Sequence, residues 1–166
     1  MRKKIFLLII AATLFFYNSS AQTPNSSKPS APSLMKGKGT LSFKINGQLY
    51  NSDSTQTKCW TSATVPLAML WAKGNNINIS WQIRDMQGVG TYRIDKDSKG
   101  SINFTINDKT YWVRKTDGSN YLNITITSVK EVYTVKLLSG TFEGILEDKD
   151  GNKVQVIEGK FITKGI

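Results

Sequence analysis

The chain has 166 residues, of which 22 are basic and 12 acidic, with no histidine and one cysteine. The lack of histidine excludes Ser-His-Asp and Cys-His nucleophilic catalysis, the usual zinc sites and the commonest general base near neutral pH. With Cys59 as its one thiol, the chain cannot form an internal disulfide, so the stability of the fold must come from its core.

The first residues predict a secretory signal peptide over residues 1–21. Basic residues at positions 2–4 precede an apolar run over residues 5–16, and small residues follow, so we expect cleavage after Ala21 with Gln22 as the new N-terminus. The run spans 12 positions, whereas a membrane-spanning helix needs about 20, so no membrane span is expected in the mature chain. Because no cysteine follows the cut, the protein is expected to be secreted or periplasmic and not a lipoprotein.

Residues 22–39 are predicted to form a flexible leader, because they are rich in proline, serine, asparagine, lysine and glycine. The remaining residues, 40–166, have the size of a single domain. They hold 16 basic and 12 acidic residues, a net charge near +4. The basic residues are scattered over many segments rather than lying in a stripe, so no nucleic-acid partner is expected.

Alternation of apolar and polar residues predicts antiparallel strands with one buried and one solvated face. The clearest runs are Leu41, Phe43 and Ile45; Ile77, Ile79, Trp81 and Ile83; Ile102, Phe104 and Ile106; and Leu122, Ile124 and Ile126. Turn residues such as Asn46-Gly47 and Asn107-Asp108 separate them. Leu67 to Trp71 is apolar throughout and is predicted to be a central strand, with a short helical insertion as the alternative. We therefore expect an all-β domain: an antiparallel β-sandwich or a partly closed lipocalin-like barrel of about ten strands.

The acidic residues are expected in solvated turns. Asp95 and Asp97 stand in one turn, and Asp148 and Asp150 in another. Exposed turn carboxylates have near-normal pKa values and lack the pocket that separates a pair into acid and base, so no catalytic residue is predicted. Neither turn completes a calcium loop, since the twelfth position of the first is Ile106 and the glycine of the second comes too early. No metal and no cofactor are predicted.

Aromatic side chains are the remaining candidates for a binding site, because exported β-sandwiches that bind carbohydrate present aromatic faces to sugar rings. Trp81 is in step with buried isoleucines and is expected in the core. In a strand, Trp60 would lie on the opposite face from Cys59, and Trp112 on the opposite face from Tyr111. Either indole is therefore a candidate for an exposed position. Trp60, Trp112 and Tyr111 are the candidate ligand-binding residues, with packing beneath a loop as the alternative.

Two residues outside these groups carry chemistry of their own. Cys59 shares its predicted face with Ala63 and Val65, which favours a buried thiol over a reactive one. Ser54 lies in Asp53-Ser54-Thr55, which fits a pattern at which exported proteins of Bacteroidetes-type bacteria resemble one another as O-glycosylation acceptors. A plain loop is the alternative for this tripeptide.

Two stretches, one near each end of the domain, share a pattern with known proteins. The first is Phe43-x-Ile45-Asn46-Gly47-x-x-Tyr50, and the second runs through Ser139-Gly140-Thr141-Phe142-x-Gly144, Asp150-Gly151, Val154-x-Val156 and Gly159-x-Phe161. Together they resemble small secreted domains of unknown function in Bacteroidetes-type proteins. The resemblance implies a β-sandwich or lipocalin-like barrel, an envelope or extracellular location and no established activity. Gly140, Gly144 and Gly159 are expected to mark bulges and bends.

These observations leave three hypotheses. The first is an exported non-enzymatic binding or interaction module for a glycan, a small apolar molecule or an envelope protein; an apolar cavity enclosed by the strands would favour the small molecule. The second is a histidine-independent hydrolase or lyase acting on polysaccharide, which requires a cleft where two acids converge, or an acid with Tyr50, Tyr92 or Tyr111. The third is a structural or inhibitory surface protein, which an exposed apolar edge strand would indicate.

Overall fold

The computed structural model describes residues 38–62, 65–114, 118–132 and 135–165. In these residues eleven strands form: β1 Lys38–Ile45, β2 Gln48–Asn51, β3 Thr57–Ser62, β4 Leu67–Gly74, β5 Ile77–Arg84, β6 Gly90–Ile94, β7 Ser101–Ile106, β8 Lys109–Tyr111, β9 Tyr121–Val132, β10 Val135–Glu147 and β11 Lys153–Gly165. The prediction of an all-β domain with about ten strands is confirmed.

The predicted signal peptide lies outside the described residues, as does nearly all of the predicted leader. Strand β1 begins at Lys38, so the last two residues of the expected leader are strand residues. Within the described part of the chain, no helix is long and apolar enough to cross a membrane.

The strands form one antiparallel sheet that branches at β10. Its order is β2-β1-β11-β10-β3-β4-β5-β7-β8, while β9 also pairs with β10 and carries β6 beyond it. Residues 135–137 of β10 pair with β3, whereas residues 139–147 pair with β11. The sheet does not close, and the arrangement is compatible with a β-sandwich or an open barrel.

Aromatic rings from β1, β7 and β10 meet in the interior of the fold. The Phe43 ring centroid lies 5.6 Å from that of Phe104 and 5.9 Å from that of Phe142. The ring centroids of Trp81 and Phe161 are 5.4 Å apart. Both side chains are buried, as the alternation predicts for Trp81. Burial of such side chains contributes about 1.5–3 kcal/mol each, so this cluster is a main source of stability in a chain without an internal disulfide.

The predicted hairpin turns have the backbone conformation that their residues favour. Asn46 and Gly47 have φ angles of 51° and 79° and connect β1 to β2. Asn107 and Asp108 have φ angles of 48° and 64° and connect β7 to β8. Both central residues of a two-residue hairpin loop need positive φ in the type I′ turn, which explains the Asn, Asp and Gly found here.

The predicted glycine bends are present in β10, where β9 comes closest. A Cβ on Gly140 would lie 2.0 Å from the carbonyl oxygen of Thr125, and one on Gly144 would lie 2.1 Å from that of Tyr121. The register of β9 against β10 shifts in this stretch, as expected for a bulge. These glycines are present because any side chain would collide with the neighbouring backbone.

The apolar segment from Leu67 to Trp71 lies in β4, paired on both edges by β3 and β5. The strand prediction is confirmed, and the helical alternative is wrong. The two faces differ, however, because Leu70 is buried whereas Met69 and Trp71 are exposed. A segment that is apolar on both sides in the sequence therefore has one side in solvent.

Candidate functional site

An exposed apolar surface lies on the outward face of β3 and β4. The register places Trp60 directly opposite Met69, and Trp71 lies two residues from Met69 on the same face. Met69 is 37% exposed, Trp71 is 39% exposed and Trp60 is half-buried. Diagonal neighbours in an antiparallel sheet are about 7–8 Å apart, within reach of aromatic side chains. We call Trp60, Met69 and Trp71 the aromatic platform.

Polar side chains border the aromatic platform on its β5 side. Ser80 lies opposite Trp71, and Gln82 lies opposite Met69. Asn103 of β7 follows in the same row, opposite Ser80. Hydroxyl and amide groups both donate and accept hydrogen bonds, so hydrogen-bonding groups stand directly beside the ring surface.

An open cleft of about 450 Å³ lies at the end of β4, next to the platform. Lys73, two residues beyond Trp71, lines it. The other lining residues are Gly74, Asn75, Asn76, Ile77, Asn78, Thr105, Asn107 and Asp108. Each asparagine amide offers two donors and an acceptor, so the cleft suits a ligand rich in hydroxyl groups.

Two lysine ammonium groups lie beside the indole of Trp71. The Nζ atoms of Lys73 and Lys58 are 5.3 Å and 5.5 Å from the ring centroid. These distances are within the range of about 6 Å for a cation–π interaction. Lys58 is largely buried, whereas Lys73 is half-buried.

Acidic residues are unevenly distributed among the strands. Acidic residues are absent from β3, β4, β5, β7 and β8, all of which lie in the described residues. These strands carry the basic residues Lys58, Lys73, Arg84 and Lys109. The acidic residues found in strands are on β9, β10 and β11: Glu131, Glu143, Glu147 and Glu158. The same three strands also carry lysines: Lys130, Lys136, Lys153, Lys160 and Lys164. The platform strands therefore carry no acidic residue, although Asp53 and Asp85 stand in the turns that adjoin them.

The aromatic residues predicted from the sequence do not form one site. Trp60 is on the aromatic platform, opposite Leu137 of β10 as well as Met69. Trp112 is half-buried and its backbone pairs with Glu147, ten residues further along β10. Tyr111 packs against the core. Trp60 is thus separated from the other two candidates by most of the length of β10.

Trp71 is the most exposed member of the platform, and the sequence prediction did not include it. The uninterrupted apolar run from Leu67 made both faces of the strand look buried. Lys73 identifies the outward face in the sequence, because residues 69, 71 and 73 of a strand lie on the same face. Lysine is almost never fully buried, so its face of the strand must reach solvent.

Cys59 is buried, as predicted, and burial raises the pKa of its thiol well above the usual range. Thiolate is the reactive form, so the raised pKa and the burial both disfavour reaction of this thiol. The prediction that Cys59 shares a strand face with Ala63 and Val65 was wrong in part. Cys59 lies opposite Leu70, whereas Val65 is outside the strands and 52% exposed, and Ala63 lies outside the described residues.

Two tyrosines considered for histidine-free catalysis hold the structure together. The ring of Tyr50 stacks on Phe43 with centroids 5.4 Å apart. The Tyr92 hydroxyl donates to the carbonyl of Gly88 at 2.8 Å and accepts from the N–H of Gln87 at 3.0 Å. Both side chains therefore have structural contacts that account for them.

The turn that follows Asp148 is exposed at Asp150, as predicted, but Asp148 itself is only 5% exposed. Its carboxylate accepts hydrogen bonds from the side-chain amide of Asn152 and from the N–H groups of Asn152 and Asp150. The side-chain hydrogen bond from Asn152 is the largest cause that lowers the pKa of Asp148, and burial opposes it. The carboxylate thus stabilises the turn through these hydrogen bonds.

Asp95 organises the other predicted turn in a similar way. Burial raises its pKa, but hydrogen bonds from Arg93 and from the N–H groups of Asp97 and Ser98 outweigh that effect and leave the pKa below its usual range. A general acid needs the opposite shift. In the described part of the chain, no three Asp, Glu or Cys side chains are grouped to hold a metal ion.

Two glutamates outside the turns line a second open cleft, of about 510 Å³. Glu143 comes from β10 and Glu158 from β11, with Asn123 and Lys160 among the other lining residues. The carboxylate of Glu158 forms an ion pair of 2.7 Å with Lys44. The expectation that the acids stand in turns is therefore wrong for this pair.

Ser54 lies on the surface in the 3-10 helix Ser54–Gln56. The Asp53 carboxylate caps this helix, accepting hydrogen bonds from the N–H and the hydroxyl of Thr55 at 2.7 Å and 2.8 Å. The Ser54 side chain is therefore presented to solvent on a defined turn. The predicted cleavage site, Ala21 and Gln22, lies outside the described residues.

These features define the class of the protein as an antiparallel all-β domain with an aromatic surface on one outward face. Residues 38–163 match the family described as a domain of unknown function, DUF6252, and the chain belongs to this family. The match runs from the start of β1 almost to the end of β11, so the family corresponds to the domain described above. No curated protein and no solved structure matches the chain.

Proposed function

We propose that the protein is an exported, non-enzymatic binding module that holds a glycan on the aromatic platform. The observation that carries this proposal is the exposure of Trp71 within the sheet, beside Met69 and Trp60. Keeping apolar surface in water forgoes about 25 cal/mol per Å², so a contiguous exposed patch indicates a surface kept for a ligand.

The surroundings of the platform favour a glycan among the three ligand classes. A sugar ring has an apolar face that stacks on an indole and hydroxyl groups at its edge, and Ser80 and Gln82 stand at the edge of the platform. The asparagine-rich cleft beyond Lys73 extends these hydrogen-bonding groups. A small apolar molecule is less favoured, since the rings of Phe43, Phe104 and Phe142 occupy the interior.

The proposal includes export by the signal peptide, as in the small secreted domains of Bacteroidetes-type proteins that the sequence resembles. Cells expressing the full chain should deliver the protein to the periplasm or medium with Gln22 at its N-terminus. N-terminal sequencing of the exported protein checks this point. A product that retains residues 1–21 and stays in the cytoplasm contradicts it.

The binding proposal is tested with the exported protein on a glycan array, followed by thermal shift with each glycan that binds. A ligand that binds the folded state raises the melting temperature. Trp71→Ala should weaken binding at least tenfold, because stacking on the indole is lost. Leu49→Ala is the matched control, since Leu49 is 55% exposed on the edge strand β2 and is not part of the platform.

Binding that is unchanged in Trp71→Ala removes the platform from the proposal. Absence of any glycan ligand, together with capture of an envelope protein that Trp71→Ala abolishes, assigns the same surface to a protein partner instead.

A histidine-independent hydrolase or lyase is the second candidate, because Glu143 and Glu158 line one cleft. Incubation with polysaccharides and measurement of new reducing ends or unsaturated products tests it. Activity that disappears in both Glu143→Gln and Glu158→Gln supports an enzyme, whereas no product from any glycan that binds the platform supports the binding module.

A further inference from the structure

We infer that the glycan is an uncharged, extended polysaccharide whose chain crosses the strands, from the aromatic platform onto the outward face of β5 and β7. This inference rests on the proposed function and names the ligand class of the same platform. It follows from the residues that lie beside the platform in the sheet rather than from the rings themselves.

The outward face of β5 and β7 continues the platform with short polar side chains. Residues directly opposite each other in an antiparallel pair share a face of the sheet, so a row can be followed from strand to strand. From Trp71 the row continues through Ser80 and Asn103, and the rows that start at Met69 and Lys73 continue in the same way. We call the polar members of these rows the polar field: Asn78, Ser80, Gln82, Ser101, Asn103 and Thr105.

The polar field contains no charged side chain, although charges of both signs border it. Lys73 of β4 and Arg84 at the end of β5 lie on the same face, while Asp85 and Asp108 stand in the turns that follow β5 and β7. Hydroxyl and amide groups both donate and accept hydrogen bonds. The field therefore recognises a ligand through hydrogen bonds, which suits an uncharged sugar.

Hydrogen bonds within the field hold one of its amides in place. The Thr105 hydroxyl donates to the side-chain carbonyl oxygen of Asn103 at 3.3 Å, and it lies 3.1 Å from the hydroxyl of Thr110 on β8. This arrangement leaves the amide nitrogen of Asn103 to donate to a ligand. Short side chains also lose less rotamer freedom on binding than lysine or glutamate would, so binding here costs little ordering entropy.

The spacing of the strands favours an extended chain. Neighbouring strands are about 4.7–4.9 Å apart, which is close to the length of one sugar ring along an extended polysaccharide. The row through Trp60, Met69, Gln82 and Ser101 crosses β3, β4, β5 and β7, so a chain lying along it places one sugar on each of these strands. β-1,4-linked chains have this extended form, whereas α-1,4-linked glucans coil. We therefore assign the surface to a β-1,4-linked chain.

The test measures how affinity depends on chain length and linkage. Cello- and chito-oligosaccharides of two to six sugars are titrated into the exported protein by calorimetry. In the series that binds, affinity should rise at least tenfold from two to four sugars and then level off. Maltohexaose, which has the glucose units of cellohexaose in a coiled chain, should bind at least tenfold more weakly than the hexamer of that series. Added salt should change the affinity less than twofold, because salt screens only charges.

One variant tests the contribution of the polar field. Asn103→Ala should weaken binding of the tetrasaccharide about tenfold and leave the disaccharide nearly unchanged, because two sugars are held by the platform alone. Asn51→Ala is the matched control, since Asn51 is an exposed asparagine on β2 that is not part of the polar field, and it should change neither affinity. Circular dichroism and melting temperature check that both variants are folded.

The outcomes separate this inference from the proposed function. Equal affinities for the disaccharide and the tetrasaccharide, both lost in Trp71→Ala, overturn the extended chain while the glycan platform stands. Tetrasaccharide affinity that is unchanged in Asn103→Ala overturns the path across β5 and β7. Binding of neither series, when another glycan on the array binds through Trp71, overturns the β-1,4-linked class alone, whereas binding of no glycan at all overturns the proposed function as well.

Discussion

Individual residues set the geometry of this sheet where strands approach most closely and where they turn. Gly140 permits β10 to approach the backbone of β9, and Asp148 braces the turn between β10 and β11 with its carboxylate. Neither residue contributes much apolar burial. Each of them permits a local backbone conformation that a different side chain at the same position would prevent.

Gly140→Ala should destabilise the fold by about 3 kcal/mol or more, as expected when an added methyl group overlaps backbone that cannot move. The new Cβ would stand 2.0 Å from the carbonyl oxygen of Thr125. Gly118→Ala is the control, because its Cβ would meet only the end of the flexible Lys96 side chain, at 3.3 Å. Urea denaturation measures both. Equal midpoints for the two variants would disprove the close approach of β9 and β10.

In Asp148→Asn, the free energy of unfolding should depend less on pH in the acidic range than it does in the wild type. Hydrogen bonds from Asn152 and Asp150 lower the pKa of Asp148 in the folded protein, so the carboxylate stabilises the fold above about pH 4. That stabilisation is lost as the pH falls through the lowered pKa, because the folded state must then take up a proton that the unfolded state already holds.

The measurement for Asp148→Asn is the urea midpoint of the wild type and the variant between pH 7 and pH 2.5. The wild type should be more stable near neutrality, and the difference should narrow below about pH 4. A difference that stays constant over this range argues against a lowered pKa.

The alternation of side chains makes the residues of the core predictable, but it does not decide which face of an apolar strand is buried. Leu41, Phe43 and Ile45 are buried as expected because polar residues alternate with them. In β4 both faces are apolar, and the smaller Ala68 rather than Trp71 faces inward. The inner layer already holds large rings such as Trp81, and two of the three inner positions of β4 are occupied by the small Ala68 and Ala72, with Leu70 between them.

At the scale of elements, the end of β10 is tied to the segment that follows β8. The backbone of Glu147 pairs with Trp112, and its carboxylate forms an ion pair of 2.9 Å with Arg114. The side-chain amide of Asn120 donates to the other carboxylate oxygen at 2.6 Å. Glu147 is only 4% exposed, so these contacts compensate for the burial of its charge.

Arg114→Ala should cost about 3 kcal/mol, because it leaves the buried Glu147 carboxylate without its counterion. Lys44→Ala is the control, since it breaks an ion pair with an exposed Glu158 and should cost less than about 1 kcal/mol. Chemical denaturation at neutral pH compares the two. Similar losses would show that the buried pair contributes no more than a surface pair.

The sequence indicates the strands more clearly than their partners. Hairpins such as β1–β2 follow from the Asn46-Gly47 turn, because a two-residue loop fixes the register of the strands it joins. The branching of β10 between β3 and β11 joins residues far apart in the chain, and no local pattern specifies it. For this reason the pairing of Trp60 with Met69 could not be predicted, although the orientation of Trp60 toward the outward face could.

At the scale of the whole molecule, the first and last strands are neighbours. Strand β1 pairs with β11 along its length, and Lys38 lies opposite Gly165. The platform strands β3, β4 and β5 are consecutive in the chain, and β3 reaches this seam, where the N–H of Cys59 donates to the hydroxyl of Thr163 on β11 at 3.1 Å. The pairing of the two ends therefore supports β3 as well as its own part of the sheet, and a chain that keeps this pairing should keep the proposed ligand surface.

A circular permutant should consequently fold and keep the ligand surface. Residues 38 and 165 would be joined by a short Gly/Ser linker, since paired residues have Cα atoms about 5 Å apart, and new ends would open in the exposed turn between Lys96 and Asp97. Exposed turns tolerate such openings because little backbone hydrogen bonding is lost. We expect a strand-rich circular dichroism spectrum and glycan binding like that of the parent, whereas opening the chain within β4 should abolish both. A permutant opened at Lys96 that fails to fold would show that chain continuity at this turn, rather than the pairing of β1 with β11, holds the sheet together.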